Sequence, residues 1–358
     1  MAKDTTYMAW MRHEELPVVR GYGVSDLAGV ELGDWARLGG RGAFLQLEGM
    51  EGLTGMYLGE IPPGGEMKPE KHLYDELIFI LSGTGATEFW RADGDGPRQV
   101  LEWQRGSLFA PPLNSWHRLT NLSGTDPVRF LAVTTAPIAM DLYHNVDFIF
   151  SSAYLFDDRW DGRDNFFTMA PRVPGARAWE TNFVPDVRTV SLDVSESKGR
   201  GGRTTLYEMA GNVLVGQLSE WPISLYRKAH YHGGGAILLT LGAQGYALMW
   251  PRELGMHPFE TGQGDKVVAM DWADGSVMSP PSGWFHQFFN TGTVGARNAA
   301  LRYGSQKYGV QFHDVQSQEG VTRSVREGGT MIEPEDEDPE VLARFRNALA
   351  ATGVPCLM

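Results

Sequence analysis

Nine histidines are present, and five of them fall in two recurring patterns. In "RKAHYHGGG" (227–235), His230 and His232 stand two residues apart. Alternate residues of an extended strand face the same side, so both imidazoles look into one interior. His286 follows in "SPPSGWFHQFFN" (279–290) and can complete one face of a coordination shell. Three neutral imidazoles leave positions open for substrate and O2, as a catalytic metal requires. Fe(II) suits such a set best, with Mn(II), Ni(II) or Zn(II) as alternatives. An all-imidazole shell leaves the metal more positive and favours an anionic oxygen substrate. Tyr226 and Lys228 share strand parity with His230 and are expected to line the pocket, with Arg302 and the aromatic Trp284.

The earlier stretch "PEKHLYDELIF" (69–79) has Glu70 where His230 stands in the later one, keeps His72, and adds Glu76; His117 follows in "APPLNSWHRLTN" (110–121). Two carboxylates and two imidazoles form a second metal-type set, in which residues 70, 72 and 76 share one strand face. No individual catalytic residue stands out. The remaining histidines, His13, His144, His257 and His313, read as ordinary structural groups.

The segments that carry these residues repeat. Setting Gly85 on Gly245, an offset of 160, puts Glu70 on His230, His72 on His232 and Glu76 on Ala236. "GSLFAPPLNSWHRLTN" (106–121) matches "GSVMSPPSGWFHQFFN" (275–290) in length, placing His117 on His286 and Asn121 on Asn290. Short runs rich in branched and aromatic residues, broken by 44 glycines and 20 prolines, read as many strands joined by turns. The copies span about 40–138 and 200–310. The expected domains are a first barrel over 1–155, a connector over 156–199, a second barrel over 200–325 and a tail over 326–358. In the tail, Asp338 and Pro339 predict a helix start, Gly353 its end, and Val341, Leu342, Phe345, Ala348 and Leu349 its packing stripe.

On these residues the sequence resembles the bicupins, proteins with two cupin barrels in one chain. Gly275, Pro281, Gly283, His286 and Asn290 meet the whole second cupin motif, and the first copy has Asn114 at the glycine position. Gly64, Glu70, His72, Glu76 and Gly83 follow the first motif with one substitution. The resemblance implies an all-β fold of two tandem double-stranded β-helix (jelly-roll) barrels. Length and the three-histidine set are similar to those of gentisate-type dioxygenases, which carry that set in the first barrel rather than the second. Oxalate decarboxylase-like bicupins keep two histidines, a glutamate and a third histidine in both barrels, which neither copy here does.

The leading expectation is therefore a metal-dependent oxygenase acting on a small anionic compound, aromatic ones included. One alternative is a non-oxidative lyase, isomerase or hydrolase using the Glu/His set, with Glu70 or Glu76 as base. Another is a barrel that binds a small molecule without turnover. A net charge of −13 argues against nucleic acid or an anionic membrane as partner. A lone cysteine, Cys356, excludes disulfides and thiolate clusters, and no long apolar run is present. These features lead to the expectation of a cytoplasmic protein, and exposed barrel sheets to that of a homo-oligomer.

Overall fold

The computed structural model describes residues 4–170, 178–310 and 323–357. Each half folds into a large sheet and a three-stranded one. In the first half the central large-sheet strands run in the order Arg41–Leu47, Gly55–Ile61, Val128–Thr134, Glu76–Ser82 and Leu108–Phe109. The small sheet is Trp116–Asn121, Thr84–Trp90 and Gln99–Gln104. The second half repeats this order with Arg203–Glu208, Leu214–Trp221, Ala296–Tyr303, Ala236–Thr240 and Val277–Met278, beside Val268–Ala273, Gln244–Pro251 and Trp284–Asn290. The all-β duplication expected from the sequence is thus present strand for strand.

The repeat also reaches upstream of both expected copies. Val18–Gly21 runs parallel to Arg41–Leu47, and Ala178–Glu180 runs parallel to Arg203–Glu208 in the same manner. Beyond them the halves exchange strands: Gly23–Val24 pairs with Val277–Met278 of the second half, while Phe183–Val184 pairs with Leu108–Phe109 of the first. Residues 178–184, expected as part of a connector, therefore build both large sheets.

Apolar packing follows the same division. The largest cluster joins the first barrel's interior, including Phe44, Phe89 and Phe109, to Tyr207, Leu218, Ile237 and Leu301 of the second half's large sheet. A second cluster, with Leu238, Trp272, Met278 and Phe288, occupies the second barrel. Along Trp284–Asn290 the alternation is clean, with Phe288 in that interior and Phe285 and Phe289 in a third cluster beneath the C-terminal helix.

The C-terminal helix spans Pro339–Thr352, with the Asp338 side chain accepting from the Glu340 amide and Gly353 closing it at φ 71°. It buries Val341, Phe345 and Leu349. Among the described residues, the helices Thr6–His13, Ala136–Tyr143 and Val146–Ser151 go beyond the single expected one. His313 lies outside the described residues. Among the described residues no helix is long and apolar enough to cross a membrane.

Candidate metal centres

Both sets of histidines converge. Glu70, His72 and His117 in the first barrel, and His230, His232 and His286 in the second, each place their ligand atoms within 4.8 Å of one another. All five imidazoles are oriented alike, because each Nδ1 faces a carbonyl oxygen. His72 reaches Tyr74 at 2.9 Å, His117 Ser115 at 3.3 Å, His230 Lys228 at 3.0 Å, His232 Gly233 at 2.8 Å and His286 Trp284 at 3.2 Å. A carbonyl only accepts, so Nδ1 carries the proton and Nε2 turns its lone pair inward, as a metal ligand must.

Glu76 joins the first set. Its Oε2 lies 3.3 Å from His72 Nε2 and 3.6 Å from His117 Nε2, and Glu70 Oε1 lies 3.9 Å from His117 Nε2. Edges of this length surround a point roughly 2 Å from each donor, the distance at which N and O ligands hold a divalent ion. Tyr57 donates its hydroxyl proton to Glu76 Oε1 at 2.6 Å. Burial, then the charges of Glu76 and Glu70, holds that phenol well above its usual range, so it stays a donor. Arg37 donates to Glu70 Oε2 at 2.7 Å and to Glu14 at 2.8 Å. Burial alone would raise Glu70, but Arg37, His72 and His117 hold it below the ordinary carboxylate range. Burial opposes a charge on His72 while Glu76 and Glu70 raise it, whereas burial and His72 push His117 down.

The second centre has the opposite electrostatics. Its cavity, about 30 Å³, is lined by the three histidines with Lys198, Arg227, Arg302, Gln217 and Asn298, and among the described residues no carboxylate lines it. Lys198 Nζ sits 2.7 Å from His230 Nε2. Burial first, then neighbouring positive groups, takes His230 and His232 well below their normal value and His286 down to about 3. Burial lowers Arg227 and Arg302 to about 10, which leaves both guanidiniums charged at neutral pH.

Of the residues expected to line the second pocket, only Arg302 does. Tyr226 packs against Phe345 and donates to Glu337 Oε2; Lys228 pairs with Glu333; Trp284 packs on Tyr22. For Tyr226 and Lys228 the reason is a change of register. Tyr226 bridges Phe289 and His230 bridges His286, so four steps on one segment face three on the other. This bulge reverses parity between Tyr226 and His230, turning Arg227 inward instead. The first barrel has the same irregularity, since Glu66 bridges Thr120 and Glu70 bridges His117. There it turns Met67 inward.

The other motif positions have structural causes. Asn114 and Gly283 share a left-handed backbone, φ 56° and 70°, which glycine adopts freely and asparagine tolerates. Asn121 donates to the carbonyls of Ile61, Pro62 and Asp126, and Asn290 to those of Pro222 and Val294, so both hold turns and neither joins the metal-type sets.

Residues 57–134 match the cupin domain family. The second half repeats the strand order of the half that holds this match. No curated protein sequence matches it. Among solved structures, it is similar to a Bacillus subtilis oxalate decarboxylase variant at 12% identity and a TM-score of 0.49, covering 80% of this chain and 78% of that one. A second variant of that enzyme gives 12% and 0.49 over 84% and 80%. Vicilin from Corylus avellana (hazelnut) gives 10% and 0.48 over 78% and 85%. At such identities and scores these likenesses say nothing of which reaction, if any, the chain performs.

Proposed function

We propose that this bicupin is a metal-dependent enzyme whose first barrel holds a divalent cation through Glu70, His72, Glu76 and His117, and that it carries out a non-oxidative lyase, isomerase or hydrolase reaction. The observation that supports this most is the convergence of four donors of mixed type, with both imidazoles pinned through Nδ1 and Glu76 fixed by Tyr57. Such a set suits Mn(II), Fe(II), Ni(II) or Zn(II). A cation bound there would polarise a carbonyl or carboxylate oxygen of the substrate.

The chain's own groups divide the remaining work. A cleft of about 490 Å³, lined by Trp10, Arg37, Glu70, Trp116 and Phe150, abuts the set. It is large enough for a small organic molecule. Glu70 is 9% exposed at its wall and Glu76 only 1%, so Glu70 is the carboxylate that a molecule entering there would meet. Arg37 orients Glu70 and offers a positive group at the same wall. Elemental analysis of metal-reconstituted protein tests the reading: one divalent ion per chain should disappear with His72→Ala, and turnover should proceed without consuming O2. Metal retained in that variant, or one O2 used per turnover, overturns it.

The second reading is a dioxygenase centred on His230, His232 and His286, favoured by their three inward Nε2 atoms and by Arg302 as a partner for an anionic substrate. The cavity there, at about 30 Å³, weighs against an aromatic ring. Oxygen uptake that vanishes with His232→Ala and survives His72→Ala would establish it over the first.

A further inference from the structure

The corner where the connector meets the second barrel holds a cavity of about 350 Å³, within the range of small-molecule sites. Glu208, at the end of strand Arg203–Glu208, lines it and is 6% exposed. Its Oε1 accepts from the Ser305 hydroxyl at 3.2 Å and from the Gln306 and Lys307 amides at 2.5 and 3.3 Å. Its Oε2 accepts no hydrogen bond among the described residues, and none of their basic side chains pairs with this carboxylate. A buried carboxylate without an opposite charge is costly to keep. The first half is built otherwise. The repeat sets Glu208 on Glu48, which is exposed, and the register of the paired strands sets Lys307 and Tyr308 on Ala139 and the fully buried Met140. Two basic groups at the cavity are already paired, Lys307 with Glu180 at 2.9 Å and Arg159 with Asp75 at 2.9 Å. Arg163 is the third, and its ion pair with Asp161 is long, at 3.8 Å.

We propose that this corner binds a free amino acid, with its ammonium on Glu208 and its carboxylate on Arg163. The ammonium supplies the opposite charge that Glu208 lacks, and the exposed Asp158 adds an acceptor at the rim. The Arg163 guanidinium offers a planar fork matched to a carboxylate. A ligand with a single charge would leave one of these two groups unanswered. The lining as a whole, with Arg159, Arg163 and Lys307 against Asp158, Glu180 and Glu208, carries no net charge, which suits a zwitterion. The cavity shares no residue with the first barrel's metal set or its cleft, so the inference goes beyond the proposed catalysis.

The test follows thermal unfolding of the full chain against each common L-amino acid in turn, with sodium chloride at matched ionic strength as reference. The expected result is a saturable rise in Tm with at least one of them. Its decarboxylated amine and its N-acetyl derivative should each bind about tenfold more weakly or worse, the scale of one lost charge-assisted hydrogen bond. Glu208→Gln should weaken binding to the same degree. Because Glu208 also holds the turn at Ser305–Lys307, Arg163→Gln serves as the second variant: that side chain is exposed, so the protein should fold normally and still lose about tenfold. His72→Ala should keep the full response, so failure of the first-barrel metal reading leaves this one intact. No rise with any amino acid overturns the proposal, as does a rise that survives in both Glu208→Gln and Arg163→Gln. Equal binding of the amine or of the N-acetyl derivative overturns it too, and so does a response lost in His72→Ala, which would place the ligand at the first barrel.

Discussion

The two barrels share strand order, bulge and histidine geometry, yet their interiors carry opposite charge. The first sets Glu70 and Glu76 among Leu38, Tyr57, Met67 and Phe130; the second sets His230 and Ala236 among Lys198, Gln217, Arg227 and Asn298. A duplicated frame thus fixes where side chains point and leaves their chemistry open. The carboxylates of one copy give way in the other to imidazole at His230 and alanine at Ala236, with Lys198 and Arg227 in place of Leu38 and Met67.

The largest effect should come from erasing that difference. Ala236→Glu puts a carboxylate opposite Arg302 and beside the three histidines. Divalent-metal affinity of the second barrel, titrated calorimetrically in a His72→Ala background, should rise by about a hundredfold, since ligand charge is a main lever on affinity. An unchanged affinity would show that the missing carboxylate is not what separates the barrels.

Acid should separate them next. His286 is held at about 3, below its unfolded value of about 6.5, by burial and Lys198. Its contribution to stability is complete above the unfolded value and is lost as pH falls through the window from about 6.5 to 3. His72 shifts the other way, raised by Glu76 and Glu70 against burial, so it stabilises the fold at low pH and that contribution fades as pH rises past its folded value. In metal-free protein, hydrogen exchange along Trp284–Asn290 should therefore quicken by about tenfold per pH unit for each imidazole that must take a proton, and less steeply along Trp116–Asn121, where His117 alone is held down. Equal acceleration in both strands would contradict the contrast.

Tyr57→Phe removes the donor that fixes Glu76. Metal affinity of the first barrel should fall by about tenfold, the lower end for loss of a group that orients a ligand, with the second barrel's metal affinity unmoved. The smallest effect belongs to Lys198→Leu: a half-buried amine whose partner is the neutral His230 imidazole gives way to the residue type the first barrel uses, so Tm should hold or rise by a few degrees. A marked fall would mean that Lys198 is structural.

The repeat, the strand set, the C-terminal helix and the members of both metal-type sets were legible in the sequence, because glycine, proline and histidine spacing survives duplication. Strand parity correctly brought His230 and His232 together but failed four residues upstream. The bulge between Tyr226 and His230 leaves no composition signal, so Tyr226 and Lys228 were expected inside and Arg227 was overlooked. Lys198 could have been found by carrying the offset of 160 upstream of residue 200, where it lands on Leu38. Arg37 and Tyr57 belong to no motif and reach Glu70 and Glu76 only through tertiary packing.

The strand exchange bears on how the chain is made. During synthesis from the N-terminus, Arg41–Thr134 emerges before Phe183–Val184, the strand that lies beside Leu108–Phe109, while Gly23–Val24 waits for Val277–Met278. Long-range pairing of this kind slows folding and leaves strand edges open meanwhile. A chain arrested on the ribosome at residue 170 should accordingly be more readily cleaved by protease than one arrested beyond residue 190. Between those two lengths the nascent protein is exposed to wrong partners, and a neighbouring copy carrying the same strand is the nearest of them.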